Sequence, residues 1–173
     1  MKRMFFLICV LFAFSTGMKA EDYVWPNNSV QLSSGLHNKG MGNETLLGME
    51  HYFGSNHRAS LYGNLAYLHA HKLRQELYSQ NVSLELGFKK YIKLVKERCY
   101  AFASFGLTAG IEDSKVIMLD EPKQYDTYFT GSTIGAGVEY LLTKHLAVEI
   151  RYRYKRDNID NFHIWGGGLK YSF

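Results

Sequence analysis

The stretch LAVEIRYRYKRD, residues 146–157, decides the fold. Taken in steps of two, Leu146, Val148, Ile150, Tyr152 and Tyr154 form one row, and Ala147, Glu149, Arg151, Arg153 and Lys155 the other. A helix would scatter these charges around its circumference, whereas a strand puts them all on one side. The apolar row ends in tyrosines. A soluble sheet does not need aromatics gathered at one end of its buried face, but a membrane-crossing strand does, because Tyr sits at the interface.

The same period of two recurs along the chain. In NVSLELGFKKYIKL (81–94), Val82, Leu84, Leu86 and Phe88 alternate with Ser83, Glu85, Gly87 and Lys89. CYAFASFGLTAGIE (99–112) sets Ala101, Ala103, Phe105, Leu107, Ala109 and Ile111 against Phe102, Ser104, Gly106, Thr108 and Gly110. TGSTIGAGVEYLL (130–142) sets Ile134, Ala136, Val138, Tyr140 and Leu142 against Thr133, Gly135, Gly137 and Glu139. The first half carries the pattern less cleanly, with Val30, Leu32 and Leu36, then Leu47, Met49 and Phe53, then Leu61, Leu65 and Tyr67 on the apolar rows. The second row is expected to be small or charged, as suits a narrow barrel interior. Short connectors at 54–57, 95–98 and 143–145 alternate with longer polar stretches around 38–43, 72–80, 113–127 and 157–161, the arrangement of an outer-membrane barrel. Eight strands are counted, so both ends of the barrel chain lie at the periplasmic rim and the last strand closes on the one starting near Val30. The closing segment WGGGLKYSF (165–173) alternates to its final residue, Phe173. A strand that closes a barrel is paired on both edges and cannot fray.

The N-terminus reads as a secretory signal peptide over residues 1–20: Lys2 and Arg3, an apolar run from Met4 to Phe14, then small and polar residues to Ala20. The run is too short for a membrane-spanning helix, which needs about 20 apolar residues. Cys9 lacks the small preceding residue of a lipoprotein signal. Removing Lys2, Arg3 and Lys19 from the 20 basic residues leaves 17 against 16 acidic ones, a balance that gives no electrostatic case for direct nucleic-acid binding. Only Cys99 would remain, which excludes an intramolecular disulfide. The remaining chain, 21–173, is one domain in size. Aromatics make up 15% of the sequence, with Gly 16 and Pro only 2, and no later apolar run approaches the length of a spanning helix. Only helices and closed barrels satisfy their backbone in lipid.

Glu50, Glu85, Lys89, Glu139, Glu149, Arg151, Arg153 and Lys170 fall on the rows assigned inward. A symmetric turn at 143–145 would set Glu139 opposite Glu149. Such a set could relay protons or conduct ions. The preferred reading is a salt-bridged plug, since charges inside are costly unless paired and eight-stranded interiors are filled by side chains. His69 and His71, two apart on one strand face, have a spacing that can supply two metal ligands. No Cys or carboxylate joins them, and His37, His51 and His57 are scattered, so no metal site is assigned. Ser79, Ser83, Ser132 and His163 are the residue types of a lipid-modifying barrel enzyme, but no spacing ties them together. The glycines at 135–137 and 166–168 open no helix and so form no phosphate loop; they are read as points of close backbone approach or strand coiling. No catalytic residue and no cofactor is expected.

Four segments carry a resemblance: LELGFKKYIKL (84–94), YAFASFGLTAGIE (100–112), GAGVEYLLTKHLAVEIRYRY (135–154) and NFHIWGGGLKYSF (161–173). They resemble successive strands of the conjugative-transposon protein TraO of Bacteroides-type bacteria. The EYLLTKHLAVEIRYR hairpin and the NFH entry into a Gly-rich last strand are the most specific pieces. The resemblance implies a signal-bearing outer-membrane barrel in a DNA-transfer apparatus and brings no catalytic residues. Leu169, Tyr171 and Phe173 likewise resemble the terminal signature that barrel-assembly machinery reads in bacterial outer-membrane proteins. The expected fold is therefore an all-β, eight-stranded antiparallel transmembrane barrel in a bacterial outer membrane. Its expected partners are membrane lipid, the assembly machinery and other conjugation proteins. Two alternatives stand beside the conjugation reading: a general small barrel acting through its surface loops in adhesion or stress protection, and a lipid-modifying barrel enzyme.

Overall fold

The computed structural model describes residues 26–38, 41–53, 59–72, 77–95, 98–116 and 123–173. The expected signal peptide, the GSNH turn and His57 lie outside the described residues. Eight strands follow one another: β1 (Asn28–His37), β2 (Met41–Phe53), β3 (Ala59–Lys72), β4 (Leu77–Val95), β5 (Cys99–Val116), β6 (Lys123–Leu141), β7 (Leu146–Asp157) and β8 (Asn161–Ser172). Each pairs antiparallel with its neighbours, and β8 pairs with β1, so the sheet is a closed barrel. Closure gives every spanning strand two hydrogen-bonded neighbours, the condition for polar backbone to sit in hydrocarbon.

The rungs of the ladder fix the shape of the barrel. A path from Gly137 on β6 runs through Arg151, Gly166, Gly35, Glu44, Leu68, Asn81 and Glu112, and returns to β6 at Thr127. It comes back ten residues nearer the rim opposite the chain ends. A shear of that size in eight strands spaced about 4.8 Å apart gives a tilt of about 40° and a backbone radius of about 8 Å. That leaves room for one layer of side chains from each wall and no bore.

The alternation read from the sequence determines the faces. In β7, Ala147, Glu149, Arg151, Arg153 and Lys155 are buried, while Ile150 is 67% exposed on the outside. Toward the middle of the strands most outward side chains are apolar, among them Leu32, Met49, Leu65, Leu86, Leu107 and Ile150, the outer band of a membrane barrel. The β6–β7 turn is pinned by Thr143, whose hydroxyl accepts from the backbone N–H groups of His145 (3.2 Å) and Leu146 (3.0 Å).

Two expectations need correction. Two of the polar stretches expected as long loops, 72–80 and 113–127, are largely strand: the β3–β4 ladder runs out to Lys72 opposite Leu77, and the β5–β6 ladder to Val116 opposite Lys123. Above the membrane both faces of a hairpin meet water, so the apolar–polar alternation fades although the backbone ladder continues. The inner row is also not uniformly small or charged. Tyr52, Tyr62, Tyr91, Phe102, Phe129 and Phe162 are all buried inside. Glycine on the opposing wall makes the room. A Cβ on Gly137 would lie 2.6 Å from the Phe102 ring, and those on Gly87 and Gly106 would each meet the Tyr62 hydroxyl at 2.5 Å. This is the close approach expected of the glycine-rich strands.

Candidate functional site: a sealed, charged interior

The interior is stacked in layers. At the end nearest the chain termini, Tyr52, Tyr91, Phe102, Leu141 and Ala147 form an apolar floor. At the opposite end, Leu68, Ala70, Phe162 and Ile164 form a second apolar cluster, with the His37 ring edge-on to Phe162. Between them lie the charges. All eight residues assigned inward from the sequence are buried, none more than 6% exposed.

Two groups of charges are built, one on the floor and one above it. In the lower, Lys170 of β8 pairs with Glu139 of β6, with Glu50 of β2 at 2.9 Å and with Glu149 of β7 at 3.9 Å. Lys89, from β4 on the far wall, bridges Glu50 at 3.3 Å and Glu149 at 3.2 Å. Further hydrogen bonds hold Glu50 and Glu149. Tyr91 donates its hydroxyl hydrogen to Glu50 (2.5 Å), Ser60 donates to the same oxygen, and the Gln31 amide donates to Glu149 (3.0 Å). Arg151 reaches Glu149 at 3.4 Å and donates to Ser33 at 2.6 Å. In the upper group the two arms of Arg153 divide between Glu44 (2.8 Å) and Glu85. Glu85 also accepts from Tyr62 (2.7 Å) and Thr133 (2.9 Å). Above it, Lys155 lies 4.3 Å from the Phe129 ring centroid and 3.7 Å from Asp157.

The buried charges among the described residues are thus six acidic side chains, Glu44, Glu50, Glu85, Glu112, Glu139 and Glu149, and five basic ones, Lys89, Arg151, Arg153, Lys155 and Lys170. Pairing of opposite charges together with hydrogen bonding is what lets such a set persist in a low-dielectric space. The arrangement cross-links strands through the barrel axis, and an apolar cluster lies at each end of it. Glu44, Glu112 and Lys155 were not among the inward charges singled out from the sequence. The signal was present for all three: Glu44 shares the parity of Glu50 on β2, Glu112 that of Thr108 on β5, and Lys155 that of Arg153 on β7.

The remaining candidates stay apart. His69 and His71 both belong to β3, and the His69 carbonyl bonds to His37 Nε2 at 3.0 Å. His51 Nδ1 contacts the Asn28 side chain (2.8 Å). No group of three or more His, Cys, Asp or Glu residues suited to a metal occurs among the described residues. Ser79 and Ser83 are buried inside, and Ser79 donates to Glu112 (2.8 Å), whereas His163 faces outward and hydrogen-bonds the Tyr152 hydroxyl (2.6 Å). Ser132 sits on β6, two strands from His163 on β8. These serines and His163 therefore form no nucleophile–base pair.

Leu169, Tyr171 and Phe173 project outward from the last strand, each more than half exposed. The end of the chain is tied to its neighbours. Phe173 N–H donates to the Asn28 carbonyl (2.9 Å), Asn28 N–H donates back to Phe173 (3.3 Å), and Ser172 N–H donates to the His145 carbonyl (2.7 Å).

The same architecture occurs in solved structures of low sequence similarity. The N-terminal β-barrel domain of Pseudomonas aeruginosa OprF is 15% identical, with a TM-score of 0.61, covering 86% of this chain and 98% of that one. Ail, the attachment invasion locus protein of Yersinia pestis, is 12% identical, with a TM-score of 0.61, covering 87% and 100%. The outer membrane enzyme PagL is 14% identical, with a TM-score of 0.51, covering 84% and 99%. At such identities the likeness establishes the fold alone, and the fold is shared by an enzyme. A comparison with curated proteins finds no match. Residues 6–173 match the model of the outer membrane protein beta-barrel domain family, and the chain belongs to that family as a small eight-stranded barrel of the bacterial outer membrane.

Proposed function

We propose that this barrel is neither a channel nor an enzyme but a component that works through contacts made outside its sealed interior. The observation that carries this is the filled core: six acidic and five basic side chains buried in the interior, most of them joined by ion pairs, with an aromatic or aliphatic cluster at each end. The narrower proposal is a structural component of a conjugative DNA-transfer apparatus. Its support is the resemblance of β4, β5, β6, β7 and β8 to the TraO family. A barrel of about 8 Å backbone radius cannot pass DNA, so such a role is exercised by contact. The docking pieces would be the periplasmic turns at 54–57, 95–98 and 143–145 or the segment 21–28.

A second reading has an observation of its own. Strands β4, β5 and β6 run to 18 or 19 residues, against 10 to 12 in β1, β7 and β8, so their hairpins stand above the rim opposite the termini. A raised wall of this kind suits adhesion or protection at the cell surface.

Deleting the gene from its host element and measuring transfer frequency, surface attachment and lipid A composition separates the readings. Transfer falling sharply, with attachment and lipid A unchanged, supports the conjugation role. Normal transfer with reduced attachment replaces it with the surface role. An altered lipid A mass spectrum would overturn the non-enzymatic reading.

A further inference from the structure

The outer wall carries a graded row of side chains that the sealed interior does not use. Leu86, Leu107, Ser132 and Arg156 occupy a single rung across β4, β5, β6 and β7, all pointing out of the barrel. The next rung toward the rim repeats the order, with Leu84, Ala109 and Thr130. Together they line a groove of about 780 Å³. Its floor is recessed because Ala109, Thr130 and Ser132 are small. Its lower end is aliphatic, with Leu84, Leu86 and Leu107 each 63–71% exposed. Its far end holds a cation.

The tilt of the strands orients this groove. Rungs followed from β4 toward β7 climb toward the rim opposite the chain ends, as the path from Gly137 to Thr127 shows. The leucines therefore lie within the apolar band, and Arg156, one residue from the end of β7, lies at its upper border. Arg156 is exposed and makes no ion pair among the described residues. The nearest acid in the chain, Asp157, points inward, pairs with Lys155, and accepts from the backbone of Ile159 (3.0 Å) and Asp160 (2.7 Å). Ser132 pairs with Arg156 across the β6–β7 ladder, and Thr130 follows two residues along β6 on the same face. The neighbouring sector of the wall is built differently: Tyr152, Tyr154, His163 and Trp165 pack ring on ring there. An aromatic girdle is the usual furnishing of this level, and at β4, β5 and β6 it gives way to small and aliphatic residues.

We propose that this groove holds a phosphate-bearing membrane lipid, one acyl chain lying along Leu84, Leu86 and Leu107 and the phosphate on Arg156 between the Thr130 and Ser132 hydroxyls. The occupant is a lipid because the aliphatic end lies in the hydrocarbon band. It is an anionic one because the charge exposed at the upper end is the Arg156 guanidinium, which has no ion pair among the described residues while the lining Asp157 turns inward to Lys155, and its planar fork matches phosphate oxygens. The size of the groove is that of a specific ligand site rather than a dimple.

The test uses the full chain folded in nanodiscs of equal phosphatidylglycerol and phosphatidylcholine with matched chains, followed by native mass spectrometry of the lipid retained on release. One phosphatidylglycerol per barrel is expected, preferred over phosphatidylcholine by about tenfold, which corresponds to about 1.4 kcal/mol. Arg156→Gln, an exposed position at a strand end, should abolish that preference while keeping the heat-modifiable gel shift of a folded barrel. Ala109→Trp, which fills the groove and leaves the charge, should reduce retention of both lipids. Equal retention of the two lipids by the unaltered protein, or an unchanged preference in Arg156→Gln, would overturn the proposal. Millimolar inorganic phosphate that strips the lipid fully would overturn it in favour of a bare anion site.

Discussion

Glu139 and Glu149 stand directly opposite one another across the β6–β7 pair, and both carboxylates meet the ammonium of Lys170, which comes from β8. Like charges facing each other on adjacent strands are destabilising by themselves. The pair is tolerated because the barrel closes: β8 brings Lys170 alongside, and Lys89 crosses from β4 to share Glu149. Each carboxylate is held by tertiary partners that its own hairpin cannot supply.

Removing Lys170 should therefore be among the most damaging single changes. Lys170→Met leaves Glu139, Glu50 and Glu149 with one ammonium fewer in a dry interior, at a cost of about 3–5 kcal/mol. Urea unfolding from lipid vesicles measures it. Adding Glu139→Gln to Lys170→Met should recover part of the loss, because a neutral amide no longer needs the cation. A double variant no more stable than the single one would show that the pairing is not what Lys170 contributes.

The two faces of β7 should respond to different chemistry. Ile150 is 67% exposed near the middle of the apolar band, so Ile150→Arg should cost about 2–4 kcal/mol, while Ile150→Leu should be nearly silent. Glu149→Gln keeps the volume but loses the charge that Lys89, Lys170 and Arg151 share, so it too should destabilise the barrel, by about 3–5 kcal/mol. The Ile150 pair is the cleaner test of parity. Tolerance of arginine at 150 would show that the assigned faces are reversed.

Gly137 should tolerate no side chain while Phe102 is present. Gly137→Val drives methyl groups into the Phe102 ring, and overpacking of this kind costs about 1–3 kcal/mol. Combining it with Phe102→Ala opens the space. The coupling from the double-mutant cycle should be favourable, and an additive pair would mean that the ring moves aside freely.

The filled interior predicts electrical silence. The protein inserted in a planar bilayer should show no discrete conductance steps under an applied voltage. Reproducible steps from the unaltered protein would contradict the sealed core described by the two apolar clusters.

Deleting Phe173 should slow closure of the barrel. It removes the two-way backbone pairing with Asn28 and the last aromatic of the outward row Leu169, Tyr171, Phe173. Synthesis and export should be unaffected, with a smaller fraction of protein showing the heat-modifiable shift in a gel. An unchanged folded fraction would detach Phe173 from assembly.

The sequence by itself determined which side chains face in and which face out. Period-two alternation is a property of each strand alone, so Leu146, Val148, Ile150, Glu149, Arg151 and Arg153 could be assigned before any partner was known. The even count of strands likewise set the pairing of the chain's two ends. The alternation could not show where strands stop in water, so the 72–80 and 113–127 stretches read as loops although most of their residues continue the ladder. Nor could it give the partners of each charge. Those depend on the shear, which sets how far the ladder has climbed when it closes, and so which residues of non-adjacent strands meet at one level. Only closure brings Lys89 of β4 to Glu149 of β7, and Arg153 of β7 to Glu44 of β2 and Glu85 of β4. The same climb sets Leu86 below Arg156 on the outer wall. Local alternation is written in the chain residue by residue, while the meeting of distant strands is a property of the closed barrel as a whole.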